Sequence, residues 1–156
     1  MKKLSITFGT ILLVLGCFAL SAAKADDGRP LERGPQIVGL WDVQLFFDPG
    51  HTQPFAETYK QWHSDGLEIE SPSFSPGQCQ GVWTQSANRT VQLYHVGFTQ
   101  GNPPGTYRFV ETETDTVSTD GNSYDGTGEQ TFYDENGNQV GDPVALYIQA
   151  TRLPPQ

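Results

Sequence analysis

Basic residues are scarce in this chain: nine Lys and Arg stand against 18 Asp and Glu, a net charge of −9. A surface of that sign repels phosphate backbones and anionic lipid, which excludes nucleic acid and acidic membranes as partners. Cysteine is scarcer still. Cys17 and Cys79 are the two in 156 residues, and Cys17 falls in a segment expected to be removed, so no disulfide framework can form within the domain. The remaining thiol, Cys79, is expected to be buried in a strand, the usual place of a free cysteine. Helical periodicity is missing from Ile37 onward, where no window of ten or more residues sets apolar groups at i, i+3, i+4 and i+7. Long apolar runs are missing too, save one at the start.

That run is informative. Met1-Lys2-Lys3, the apolar stretch Ile6–Leu20 and Ala23-Lys24-Ala25 follow the order of a secretory signal peptide: positive n-region, h-region, small-residue cleavage site. The stretch is too short, and too soon followed by polar chain, to read as a membrane span. Cleavage after Ala25 would leave 131 residues in the periplasm or outside the cell, room for one domain. Without Lys2, Lys3 and Lys24, six basic residues face 18 acidic ones, a net charge of about −12. Leu15-Gly16-Cys17 offers a second reading, a lipoprotein signal lipidated at Cys17. Residues 26–36 carry Gly, Pro and charge without periodicity and are expected as a flexible lead-in to a single, monomeric domain over 37–153.

From Val38 on, short alternating runs rich in Thr, Tyr, Val, Phe and Trp are separated by turn residues, which predicts about eight strands and an all-β fold. Trp41, Val43, Leu45 and Phe47 share one face of the first. Ser64-Asp65-Gly66 marks a hairpin between residues 55–63 and 67–71. If His63 opposes Leu67, then Tyr59, Gln61, His63, Leu67 and Ile69 face one way, expected inward. Lys60, Glu68 and Glu70 then face the other way, expected in water. The runs 80–85 and 90–99 carry apolar groups on both faces, grouped as Val82, Val91 and Leu93 against Trp83, Tyr94, Val96 and Phe98. Longer runs at 106–119, 123–133 and 144–153 complete a meander with short connections throughout. Such a chain closes into an up-and-down barrel, which removes the edge strands, or stacks as a β-sandwich. Gly126 and Gly128, two apart in one strand, suit the tight bend of a small barrel.

The ends of the meander resemble lipocalins and the wider calycin group. Gly39-Leu40-Trp41 opens the first strand as a G-x-W, and Arg152 closes the last. The resemblance implies that Trp41 plugs one end of the barrel and that Arg152 packs over it, with Gly39 as part of the same structural motif. Mid-chain, Thr119-Asp120-Gly121 stands where many lipocalins carry Thr-Asp-Tyr.

Catalytic and metal signatures are sparse. His51, His63 and His95 form no H-x-H or H-E-x-x-H pair, and no metal or cofactor is expected. There is no G-x-S-x-G and no glycine-rich phosphate loop opening a helix. Glu111, Glu113 and Asp115 alternate along one strand face, expected to be solvated because three like charges are costly inside a barrel. Asp134 to Asn138 reads as a polar hairpin turn rather than a calcium loop, since the sixth position lacks Gly and the twelfth is Ala145.

Two function classes remain. One is a binding module for a small apolar or aromatic molecule, as the lipocalin likeness implies, with Tyr59, Gln61, His63, Leu67 and Ile69 as the mixed wall. The other is an isomerase or cyclase, as in the similarly shaped barrels of the allene oxide cyclase and dirigent group. Glu57 is then the candidate acid or base. A packed structural or inhibitory domain without a cavity is the remaining alternative.

Overall fold

A computed structural model describes residues 36–74 and 77–154. The expected signal peptide, Cys17 and most of the lead-in lie outside the described residues. Eight strands follow one another: β1 (Gly39–Phe46), β2 (Ala56–Trp62), β3 (Leu67–Pro72), β4 (Cys79–Ala87), β5 (Thr90–Phe98), β6 (Arg108–Val117), β7 (Ser123–Tyr133) and β8 (Val144–Arg152). Each pairs antiparallel with the next, and β1 pairs with β8, so the sheet is a closed barrel rather than a sandwich. Closure leaves no strand edge unpaired. No helix among the described residues is long and apolar enough to cross a membrane.

The β2–β3 register is the one the turn predicts: the His63 N–H donates to the Leu67 carbonyl at 2.9 Å, and Gln61 lies opposite Ile69. The face, however, is inverted. Tyr59 and Leu67 point outward, 54% and 51% exposed, while Lys60 and Glu68 are inside, 0% and 1% exposed. Gln61 is exposed, and His63 and Ile69 are half-buried. The reason lies at the strand end. Trp62 belongs to the aromatic base of the barrel, where its ring meets Trp83 at 5.9 Å and Tyr124 at 6.1 Å. Side chains alternate strictly along a strand, so placing Trp62 inside places Lys60 and Thr58 inside as well.

The same phasing governs the other strands. Phe109 and Val117 are buried at the two ends of β6, and Glu111, Glu113 and Asp115 lie between them in phase, buried rather than solvated. Burying an apolar side chain of that size contributes roughly 1.5–3 kcal/mol. The acids in between must then be paired or protonated, because an isolated buried charge costs several kcal/mol. In β4 and β5 the pairs are Val82 with Tyr94 and Trp83 with Leu93. Trp83, Val91 and Leu93 therefore face inward together, and Val82, Tyr94, Val96 and Phe98 face out. That corrects the expected grouping, which was one residue out of register. An irregularity between Gln85 and Ala87 offsets the hairpin by one position. Phe47 also departs from its expected face and is exposed, with Phe46 buried in its place.

Gly126 and Gly128 make room inside the barrel. They lie opposite Asp115 and Glu113, and a Cβ at either position would collide with the side chain across the pair or the β6 backbone. Glycine there is the room that the two acids occupy.

Candidate functional site

One end of the barrel is sealed. The Trp41 ring lies at the base, fully buried, in edge contact with Tyr124 at 4.8 Å, and its Nε1–H donates to the Ile37 carbonyl at 2.7 Å. The Arg152 guanidinium covers Trp41 with Cζ 4.1 Å from the ring centre. It donates to three carbonyls, of Gly121 at 2.6 Å, Val38 at 2.8 Å and Gln36. Gly39 is extended into the region of positive φ (140°), and a Cβ there would sit 2.6 Å from Arg152 Nη1. Gly39, Trp41 and Arg152 thus meet at one closed end.

Above this apolar base the interior becomes charged. Lys60 on β2 pairs with Glu113 and lies 3.7 Å from Glu111, all three buried. Burial pulls the ammonium down, but Glu113, Glu70 and Glu111 outweigh it and hold its pKa well above the ordinary value. Burial pushes Glu113 up; Lys60 and a hydrogen bond from Glu111 reverse that and bring it to about 2. Glu111 goes the other way, held well above the usual range by burial and by Glu113. The two carboxyls are thus pushed in opposite directions, Glu111 toward the protonated form and Glu113 toward the ionised one. Gln130 Nε2 donates to Glu111 Oε2 at 2.9 Å. Asp115 is likewise held well above the carboxylate range by burial and Glu113.

A second group stands on β3, β4 and β5. His95 is fully buried and stacked on Phe109. Its Nδ1 lies 2.9 Å from Glu68 Oε2, and its Nε2 lies 3.0 Å from Glu70 Oε2, the latter without hydrogen-bond alignment. Burial lowers the imidazole pKa, but the polar contacts with Cys79, Glu68 and Glu70 outweigh it and raise the pKa well above the ordinary value. Burial raises Glu68, and Glu70 is lowered because Lys60 and His95 overcome its burial. Cys79 is buried in β4, as its sequence context predicts.

The opposite end of the barrel is open. A cavity of about 380 Å³ enters there, walled by Phe47, Phe55, Phe74, Phe98, Phe109 and Phe132, with Glu70, Cys79 and Glu111 also lining it. The Phe47 and Phe55 rings stack at 3.8 Å on its rim. A wider depression of about 610 Å³ lies on the outer surface of β4–β7 among Val82, Thr84, Tyr94, Thr112 and Glu129. It is more open and reaches one of the buried titratable groups, Glu113, where the mouth cavity reaches Glu70, Cys79 and Glu111, so the mouth cavity is the better candidate site.

Of the residues singled out from sequence, none of Tyr59, Gln61, His63, Leu67 and Ile69 lines the mouth cavity. Glu57 is exposed on the outer face of β2. The groups that the fold brings together instead are Lys60, Glu68, Glu70, Cys79, His95, Glu111, Glu113 and Asp115. Glycines accompany four of them: Gly81 lies opposite Glu68 and His95, Gly128 opposite Glu113 and Gly126 opposite Asp115. In comparisons with known proteins, no family model, no curated protein and no solved structure matches this chain.

Proposed function

We propose that this chain is an exported, lipocalin-like binding protein that takes a small, largely apolar aromatic molecule into the mouth of its barrel. The cavity carries the proposal. Its volume is in the range of small-molecule sites, and its make-up, aromatic walls over a few convergent polar groups, is what such sites use. Phenyl walls give a ligand contact area, while Gln130 and Glu111 supply polar groups on the wall that can fix a polar head group. Export rests on the order of residues 1–25, and N-terminal sequencing of the processed protein should begin at Asp26. A lipidated Cys17 would overturn cleavage after Ala25.

Native mass spectrometry of protein purified from its own compartment tests binding directly, by the mass of any retained molecule. Replacing Phe47 and Phe55 together by Ser should abolish retention with little loss of stability, since both rings are exposed at the rim. Retention unchanged in that variant would overturn the reading.

One observation favours the isomerase or cyclase reading as an alternative. Glu111, whose carboxyl is held well above the usual range by burial and Glu113, and Glu70, lowered because Lys60 and His95 overcome its burial, line the same cavity. Two titratable groups pushed apart in pKa are the arrangement that acid–base catalysis needs. In this reading they replace Glu57 as the candidate acid and base. Conversion, rather than retention, of a bound molecule would distinguish it.

A further inference from the structure

We propose that Glu70, Cys79 and His95 form a binding site for one thiophilic divalent cation, with zinc the best chemical match, bordering the mouth cavity. The three residues come from three adjacent strands and all point inward. Glu70 lies directly opposite Cys79 in the β3–β4 pair. One ligating atom from each residue, a carboxylate oxygen, Sγ and an imidazole nitrogen, lies within 4.8 Å of the other two, and all three residues are buried. Zinc bonds of 2.0–2.3 Å place tetrahedral ligand atoms roughly 3.5 Å apart, so small side-chain rotations close the set around an ion.

Three further features support the site. The first is the imidazole. His95 Nδ1 is held 2.9 Å from Glu68 Oε2, which directs Nε2 toward Glu70 and Cys79. A carboxylate behind a histidine is the usual means of orienting a metal ligand. The second is that His95 Nε2 is buried and makes no aligned hydrogen bond, although Glu70 Oε2 lies 3.0 Å away. A coordinate bond would satisfy it. The third is space. Gly97 stands beside Cys79, and a Cβ there would fall 2.6 Å from Sγ. Glycine leaves the sulfur free to take up a ligating position.

The donor set decides the metal. Thiolate and imidazole select zinc and its neighbours, while magnesium and calcium require oxygen ligands throughout. On binding, the thiol proton and any proton on Nε2 pass to solvent. Three protein ligands are one short of a closed tetrahedral site, which leaves a position for water or a bound molecule. Because Glu70 and Cys79 line the cavity, an ion they hold would lie within reach of its occupant. The site rests on these residues and not on the apolar-ligand reading, and either can fail without the other. Sequence spacing alone signalled no metal, because the ligands lie 9 and 16 residues apart on separate strands.

The test uses the full chain, stripped with a chelator and titrated with Co(II). The expected result is saturation at one equivalent, with a sulfur-to-cobalt charge-transfer band that one equivalent of Zn(II) abolishes. Cys79→Ser should remove the band, and Glu68→Gln, which changes a positioning residue, should weaken metal affinity about 10–100-fold. The Phe47→Ser/Phe55→Ser variant should bind metal as the parent does, which separates this site from the apolar-ligand reading. Absence of the band in the parent protein, or its persistence in Cys79→Ser, would overturn the proposal. The first of these outcomes needs no variant to fold.

Discussion

Lys60 and Glu113 form an ion pair across the interior of the barrel, from β2 to β6, with neither side chain open to solvent. Breaking a buried pair from one side leaves a charge without compensation, which costs about 3–5 kcal/mol. Lys60→Met should therefore lower stability by about that amount in denaturant titration. The double variant Lys60→Met/Glu113→Gln should recover most of it. Equal destabilisation in both would show that Lys60 acts through packing and not through its charge.

Asp115 predicts a pH dependence of opposite sense to the usual acid limb. Its folded pKa is raised well above 3.8 by burial and Glu113. The folded state then holds the proton more tightly than the unfolded chain, so this group's contribution is full below about pH 4 and declines as pH rises through the folded pKa. The slope is roughly 1.4 kcal/mol per pH unit while only the unfolded chain is ionised. Asp115→Asn removes that slope, so its melting temperature relative to the parent should improve from pH 4 to pH 8. Glu113 acts in the other direction. With a folded pKa of about 2 against an ordinary 4.5, it stabilises the fold above pH 4.5 and loses that contribution as pH falls toward 2.

Gly126 is expected to tolerate no side chain while Asp115 is present, because a Cβ there would collide with the Asp115 carboxylate. Gly126→Ala should destabilise by about 1–3 kcal/mol, the range for overpacking. In an Asp115→Ala background the same change should cost much less. Thermal melts of the four proteins in the cycle test the coupling.

Arg152→Ala should destabilise by about 1–2 kcal/mol, through loss of the stack on Trp41 and of the three carbonyl contacts at the closed end. Tyr59→Ala, on the outer face, should change stability by less than about 0.5 kcal/mol. A large loss at Tyr59 in urea titration would mean that the face assignment of β2 is wrong.

Strand count, strand order and the β2–β3 register were legible in the sequence, because turn residues and period-two alternation are local properties of the chain. Ser64-Asp65-Gly66 fixes which residue opposes which, and it does so whatever the rest of the barrel does. The sequence by itself also set apart the three residues that meet at the closed end, Gly39, Trp41 and Arg152. What only the tertiary structure decided is which face looks inward. Locally, Lys60, Glu68 and Glu70 read as solvent-facing, since each alone in an apolar interior would be prohibitively unstable. The barrel changes that balance by bringing β2, β3, β5 and β6 around one axis, where Lys60 meets Glu113 and His95 meets Glu68 and Glu70. Opposite charges offset one another there, while Trp62, Phe109 and Val117 bury the ends of the same faces. Burial of a charge depends on partners far apart in sequence, 53 residues for Lys60 and Glu113, and no local pattern records that distance.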